Sequence, residues 1–579
     1  MKSHWIDIGP LAELSPGKPT LRKAEGRRFV CVRDGDAVHA LDDRCPHQGY
    51  PLSQGTVRDG VLTCEWHNWK FELGSGACSF GGEAVRHYPS RVEDGRVHLD
   101  IAVDVAAATR RLVAGLRAAL AEDDSSRALR EGLRLGELGI GPIPAKLGTL
   151  DAAFEVLARD GAERAEYGFD HGLAVLADLC SWAERGWIPV EEAFFVGSHA
   201  VAEPSVRLGR RSLAKQPSGP RAMLVRIADL EAGDPAHVSE CLAVERREDA
   251  EARIRSLVGE RGPESALPAL LPFLTKHIYD YGHGAIFFGK ALELSRRFQP
   301  AAIELLAAST VQLAWATADT KLPPFTATRA GLARLGEINL AAPPPAHVAW
   351  DRPAFEEAVL AGESSACDAV IARLTEGCEP RELLRAVAHA AARRLARFDP
   401  AWQDRLDAEV GPLDVTHAVT FADAAITLSA HGTRAQAAAF ALLSAAFVGK
   451  LRKADTATPI AASLDDGGGD LVAAVTARDL PRALACAQAL DARGRIEAYA
   501  RLAPFAAFDA AVRPILYAHT VKNTEAMWRL EREDPEADGV YLEALLRFIV
   551  PIRRETSTRR AAAVAKKFLV DGRPPEGLY

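Results

Sequence analysis

No apolar run in this chain approaches the ~20 residues of a membrane-spanning helix, so no membrane partner is expected. No basic run stands out, and a formal charge of −8 is modest for 579 residues. Nucleic acid is therefore not an expected partner. The start, Met1-Lys2-Ser3-His4-Trp5, has no secretory apolar region. A phosphate-binding loop is missing too. Gly136-Glu137-Leu138-Gly139-Ile140-Gly141 has its glycines in the wrong order for Gly-x-Gly-x-x-Gly, and no strand precedes it. That excludes a recognisable built-in flavin or nicotinamide site. No repeat of fixed period is visible, which argues against a regular solenoid. Cysteine is sparse. Cys31, Cys78, Cys180, Cys241, Cys367, Cys378 and Cys486 are scattered and unpaired by spacing. They suit free buried thiols in a reducing cytoplasm, the expected location.

The two other cysteines are placed differently. Cys45-Pro46-His47 is followed, after sixteen intervening residues, by Cys64-Glu65-Trp66-His67. Two thiolates and two imidazoles are thus offered as two short pairs. This set suits a Rieske [2Fe–2S] cluster, in which two Cys hold one iron and two His the other. Neutral imidazoles remove negative charge from one iron and raise the potential above that of an all-Cys cluster. A structural zinc site is the alternative. Zinc also takes Cys2His2, but its usual pairs are Cys with Cys and His with His. Gly49, Pro51 and Leu52 follow the first pair; Trp69, Phe71, Gly74 and Gly76 follow the second. With these neighbours the chain resembles the Rieske ferredoxins and the Rieske domains of ring-hydroxylating oxygenases, over roughly residues 4–101. High-potential respiratory Rieske proteins carry two further cysteines beside the ligands. Tyr50 and Trp66 stand in those places here, so the resemblance implies the lower-potential, soluble type.

At 579 residues the chain is too long for one ordinary domain, and 48% hydrophobic residues can bury a large core. Phe29–Val32 and Ala37–Leu41 read as strands around the turn Asp34-Gly35-Asp36. Arg58-Asp59-Gly60 and Glu93-Asp94-Gly95-Arg96 are further turn signals. From about Val103 the composition shifts to Ala, Leu, Arg and Glu. Apolar residues then recur every three or four positions, as in Leu112, Leu116 and Leu120, the amphipathic helix pattern. Loops interrupt it at Pro204 to Pro220, Pro323-Pro324, Pro343-Pro344-Pro345 and Asp465 to Gly469. The expected architecture is multidomain. A small all-β Rieske domain (1–103) precedes a large all-α domain (104–579) of one or two lobes, with the Pro343 stretch as the candidate lobe boundary.

Four histidine-bearing stretches fall at or inside predicted helices. They are Tyr167 to Gly172 around His171, His277 to Gly284 around His283, Asp414 to Thr420 around His417, and His519 to Ala526. Helix bundles build metal sites from inward-facing side chains on several helices. His519 and Lys522 are three apart and share a helix face. Imidazole suits iron, and a carboxylate often completes such a site. Each histidine taken singly also has a structural reading as a helix-end or core residue. Lys522 also reads as a surface lysine or one salt-bridged to Glu525, and Asp170 as a helix N-cap or as a group orienting His171.

These stretches resemble the questin oxidase-like helical oxidases, over roughly residues 165–570. The resemblance lies in His519-Thr520-Val521-Lys522 with Thr524-Glu525-Ala526, His283-Gly284, His417-x-Val419-Thr420 and Asp170-His171. It implies non-haem iron held by a helix-borne cluster of His171, His283, His417 and His519, with Lys522 bound to the metal as a carbamate. It also implies oxidation of polycyclic aromatic compounds by Baeyer–Villiger-type chemistry or ring cleavage. Two positions depart from the family. Lys290 and Asp423 align where it often has further histidines, and Asp423 is thereby a candidate ligand. The fused Rieske segment is a third departure.

The leading expectation is an oxygenase. The Rieske cluster would pass electrons to a mononuclear non-haem iron, where dioxygen and a small, apolar organic substrate meet. His283, His417, His519 and Lys522 would carry the chemistry. With no nicotinamide or flavin motif, the electrons would come from an external ferredoxin reductase or NAD(P)H-dependent reductase. A dedicated electron input favours monooxygenation over ring-cleaving dioxygenation, which needs no net reductant. The alternative is not an enzyme: an electron carrier or redox sensor whose helical part docks a partner.

Overall fold

The computed structural model of the protein describes residues 3–139, 146–165, 167–202, 233–276, 278, 280–315, 326–341, 348–399, 412–455, 461–462, 469–507 and 514–551. The loops expected at 204–220, 323–324, 343–345 and 465–468, with His277 and Tyr279, lie outside the described residues. The small all-β domain and the large all-α region follow one another as expected. Among the described residues the strands lie between Trp5 and Asp100, and the α-helices begin at Val105.

The strands are β1 (Trp5–Pro10), β2 (Thr20–Ala24), β3 (Arg27–Asp34), β4 (Ala37–Asp42), β5 (Thr56–Arg58), β6 (Val61–Thr63), β7 (Lys70–Glu72), β8 (Cys78–Phe80), β9 (His87–Tyr88), β10 (Ser90–Glu93) and β11 (Arg96–Asp100). They form three antiparallel sheets, ordered β1-β11-β10, β2-β3-β4-β9 and β5-β6-β7-β8. Two-residue turns set the register of the hairpins. Glu25-Gly26, Asp59-Gly60 and Asp94-Gly95 all have positive φ at both positions. That geometry matches the twist of the flanking strands and favours Gly at the second place. β3 is buried on both faces. Phe29 and Cys31 enter one core with Tyr88, Val97 and Leu99, while Val30 and Val32 enter another with Leu41, Leu62 and Phe71. The second core also holds Cys45 and Cys64, so the cluster loops rise from packed sheet rather than from free surface.

Two compact units divide the chain. One contains the described residues of Met1–Leu120 and Asp124–Ala153; the other is built from those of Phe154–Thr558. The first unit therefore includes helices α1 (Val105–Ala121) and α2 (Ser125–Glu137). Leu112, Leu116 and Leu120 are the buried stripe of α1, as their spacing predicts. Asp124 caps α2 by accepting from the Arg127 N–H at 2.9 Å.

The second unit is helical throughout its described residues. At its centre four helices close a ring. His171–Glu184 packs on His283–Arg297, that helix on Pro412–Ser429, that on Pro514–Glu533, and that back on His171–Glu184. Among the described residues no helix is long and apolar enough to cross a membrane. All nine cysteines are free thiols, and only Cys78 is not buried.

Candidate metal centres

The two cluster loops are built alike. In the first, the Cys45 N–H donates to Tyr50 O (2.9 Å) and the Gly49 N–H donates back to Cys45 O (2.9 Å). In the second, the Cys64 N–H donates to Trp69 O (2.8 Å) and the Asn68 N–H to Cys64 O (3.0 Å). Each loop needs one left-handed residue four positions after its cysteine. Gly49 (φ +83°) and Asn68 (φ +60°) supply it, the residue types that tolerate that region best. The repeated turn brings the two pairs face to face. The His47 and His67 ring centroids are 4.6 Å apart at 79°. The two thiols are buried, and their mutual interaction raises Cys45 and lowers Cys64. His47 stacks on Trp69 at 4.8 Å and 8°. Its Nδ1 is buried with no hydrogen-bond partner. Two adjacent thiols and an orphaned imidazole nitrogen fit a [2Fe–2S] cluster carried by mixed Cys/His pairs. Tyr50 and Trp66 pack ring against ring at 5.6 Å, in the places of the respiratory cysteine pair.

The helical ring brings the four predicted histidines together. His171 and His283 are the first residues of their helices; His417 and His519 lie inside theirs. All four are buried, and one nitrogen of each lies within 4.8 Å of the others. His417 Nε2 is 2.9 Å from Nε2 of His283 and 2.9 Å from Nε2 of His519. His417 Nδ1 lies 2.6 Å from Leu413 O, an acceptor only, so Nδ1 carries the proton and Nε2 the lone pair. His283 Nδ1 lies 3.2 Å from Asp280 Oδ2, and Gln312 Nε2 donates to the same oxygen at 3.2 Å. Neither ring nitrogen of His171 has a hydrogen-bond partner.

Protonation does not relieve this crowding of nitrogens. Burial, and then the neighbouring imidazoles, hold His417 well below the ordinary histidine range. Burial and then Lys522 do the same for His171. The positive ends of their helices also disfavour charge on His171 and His283. Neutral imidazoles converging in this way offer lone pairs that a cation could share. With metal–imidazole bonds of about 2.0–2.1 Å, one ion could be reached from His283, His417 and His519, with His417 Nε2 2.9 Å from the Nε2 of each of the other two. The donor set is compatible with non-haem iron.

Lys522, one turn past His519, is 2% exposed, and its Nζ has no hydrogen-bond partner. Burial lowers its pKa to about 7. The pairing with Glu525 considered from sequence is not what the structure contains. Glu525 instead accepts from Trp182 Nε1 (2.8 Å) and Arg529 Nε (2.9 Å) and pairs with Arg185. Lys290 binds Asp178 at 2.6 Å, and Arg529 binds Glu293 at 2.7 Å. Lys290, Asp423 and Arg529 line a cavity of about 20 Å³ with Lys522. Asp423, raised to about 7 by burial, stands 3.9 Å from Arg529. Asp170 is an N-cap: its Oδ1 accepts from the Leu173 N–H at 3.1 Å.

Sequence reasoning gave no role to Asp280, Tyr281 or Phe287. Phe287 stacks on His283 at 4.7 Å, one helical turn further on. Asp280, Tyr281 and Gly282 are all left-handed (φ +51°, +55° and +77°). Two such non-glycine residues in succession store strain of about 1–3 kcal/mol each. The strained turn aims Asp280 at His283 and lays the Tyr281 ring 5.2 Å from His417. A Cβ on Gly282 would drive into the Phe421 ring, so only glycine fits there. A carboxylate three residues before a helix-initial histidine is the sequence signal that could have found Asp280.

Comparison with known proteins bears on the first centre. Residues 4–89 match the Rieske [2Fe-2S] domain family. Pheophorbide a oxygenase of Oryza sativa subsp. japonica is 42% identical over 82 residues, 14% of this chain and 15% of that one. 4beta-Methylsterol monooxygenase of Methylococcus capsulatus is 32% identical over 109 residues, 17% of this chain and 30% of that one. The chain thus spans only a small part of these oxygenases. Among solved structures, the ferredoxin of carbazole 1,9a-dioxygenase from Nocardioides aromaticivorans is 27% identical, with 17% of this chain and 98% of that one covered and a TM-score of 0.16. The anthranilate 1,2-dioxygenase ferredoxin subunit of Burkholderia cepacia is 33% identical over 101 residues, 17% of this chain but 94% of that subunit. Through its N-terminal segment, the chain belongs to the Rieske [2Fe–2S] family, and a [2Fe–2S] cluster is its cofactor there.

Proposed function

We propose that the chain is a Rieske-coupled non-haem iron oxygenase, with a Rieske domain at 1–103 and a questin oxidase-like helical domain at 104–579. Cys45 and Cys64 hold one iron of the cluster; His47 and His67 hold the other. His171, His283, His417 and His519 hold a mononuclear iron. The observation that carries this reading is the set of four buried imidazoles with one nitrogen of each within 4.8 Å of the others, and His417 Nε2 only 2.9 Å from Nε2 of His283 and of His519. When bound, the cluster supplies single electrons and the helical iron a place to activate dioxygen.

The chain's own residues prepare that site. The Leu413 carbonyl fixes the His417 tautomer, and the Asp280 carboxylate stands 3.2 Å from His283 Nδ1. Phe287 and the packed helices exclude bulk water from the nitrogens. Lys522 is the fifth ligand. Its buried, unpartnered amine is readily neutral and adds carbon dioxide: an N–C bond forms, one amine proton leaves to solvent, and a carboxylate results.

The substrate is a small, apolar, polycyclic aromatic compound, a reading that rests on the questin oxidase-like motifs. The named oxygenases among the relatives support oxygenase chemistry, and the need for electrons favours monooxygenation, including the Baeyer–Villiger type. A separate ferredoxin reductase or NAD(P)H-dependent reductase feeds the cluster. Free thiols throughout support a reducing, cytoplasmic setting. The near-complete match to a ferredoxin subunit favours a second reading, an electron carrier with a helical docking domain.

Turnover of polycyclic aromatic probes under isotope-labelled dioxygen, with a reductase present, tests the proposal. Monooxygenation incorporates one labelled oxygen per product and consumes a pair of electrons. Two labelled oxygens with no net reductant use would instead make the site a ring-cleaving dioxygenase. Rapid electron transfer with no oxidation of any probe would favour the carrier.

A further inference from the structure

Glu83 is 2% exposed, a buried carboxylate beside the cluster loops. Two arginines of α2, a helix beyond the matched Rieske segment, close on it. Arg130 is bidentate, Nε at 3.0 Å from Oε1 and a terminal nitrogen at 2.7 Å from Oε2. Arg134 donates to Glu83 Oε1 at 2.7 Å. Its other terminal nitrogen donates to Pro46 O at 2.6 Å. Pro46 is the residue between Cys45 and His47. Burial opposes the charge on Glu83, but Arg134 and Arg130 outweigh it and hold the carboxyl below its ordinary range. Glu131 adds a second carboxylate 3.7 Å from Arg134, which burial pushes up toward neutrality.

The other side of the loop is equally confined. Trp69 stacks on His47, and Gly81 lies so close under Trp69 that a Cβ there would enter the ring. Glu83 follows two residues later. The loop carrying Cys45 and His47 is therefore held between Trp69 on one side and α2 on the other. Arg130 and Arg134 together face Glu83 at this place, with Glu131 beside Arg134.

We propose that Arg134, fixed by Glu83 and assisted by Arg130, is a positioning residue that sets the reduction potential of the cluster. Reduction adds one negative charge at the cluster. A guanidinium hydrogen-bonded to the carbonyl between two ligands stabilises that charge, and a buried carboxylate nearby opposes it. The inference rests on the ligand assignment proposed above.

Redox titration followed by electron paramagnetic resonance, on the full chain, tests it. Arg134→Gln should lower the midpoint potential, and Glu83→Gln should raise it. Arg134→Lys keeps the charge and should stay near wild type. Opposite signs from the two neutralising changes are the electrostatic signature; a clamp acting only through packing would not produce them. Shifts of the same sign, or no shift in either, would overturn the proposal. If Glu83→Gln fails to assemble its cluster, Arg134→Gln against Arg134→Lys decides alone. Equal potentials in those two would refute the charge effect. A wild-type protein without the Rieske resonance would instead sink the ligand assignment, a failure visible before any variant is made.

Discussion

His417→Ala should abolish substrate oxidation while leaving a reducible, normally coloured cluster. His417 is the hinge of the helical site, since its Nε2 stands 2.9 Å from those of both His283 and His519. Alanine removes the central donor and leaves a polar cavity among buried neutral imidazoles. Metal affinity should fall by well over the about 10–100-fold typical of losing an outer-shell partner. The cluster ligands lie in the other compact unit and share no residue with this site. Their spectrum and their acceptance of an electron from a reductase should be unchanged. The converse variant, Cys45→Ser, should lose the cluster and keep the helical iron. It should fail in multiple turnover with a reductase yet complete a single turnover when its iron is reduced chemically first. Full turnover in cluster-free Cys45→Ser would refute the electron route. Full turnover in metal-free His417→Ala would place the chemistry elsewhere.

Lys522→Ala should also lose the helical iron, with activity falling to background. The structure leaves this amine buried, unpartnered and lowered to about 7. A buried charge without a partner is costly. An amine that becomes a metal-bound carboxylate resolves that cost. Lys522→Arg should not rescue, because guanidinium stays charged and cannot be carboxylated. Short carboxylates such as acetate or formate should partly restore metal binding to Lys522→Ala, with metal content as the readout. Mass spectrometry of the wild type under mild, bicarbonate-containing conditions should show the mass of one added carbon dioxide on the peptide containing Lys522. Full iron and activity in Lys522→Ala would remove Lys522 from the ligand set and leave the four histidines standing.

What could be read from the sequence follows the range of the interactions involved. The hairpins were legible because their turn chemistry is local: Asp59-Gly60 and Asp94-Gly95 supply the left-handed pair that the register requires. The cluster motif was legible because each ligand pair spans only three or four residues. The helical histidines were named one by one, but no local pattern shows that helices starting at His171 and His283 enclose His417 and His519. That arrangement depends on long-range packing. The supporting shell was less visible still. The Leu413 carbonyl has no side-chain signature, and Asp280 acts through a strained turn. Glu525 looked like a partner for Lys522 by helical spacing, yet Trp182, Arg185 and Arg529 satisfy it from other places in the fold. Arg130 and Arg134 carry no local signal of their role, because nothing in the sequence places Glu83 opposite them.

Iron analysis combined with nitric oxide binding tests the central claim most directly. Protein loaded with iron anaerobically and reduced should contain about three irons per chain, two in the cluster and one in the helical site. Nitric oxide should then produce the high-spin resonance of a mononuclear ferrous nitrosyl beside the Rieske signal, and His417→Ala should lose only the former. About two irons per chain, with an intact Rieske signal and no nitrosyl resonance, would contradict the account and leave the chain an electron carrier.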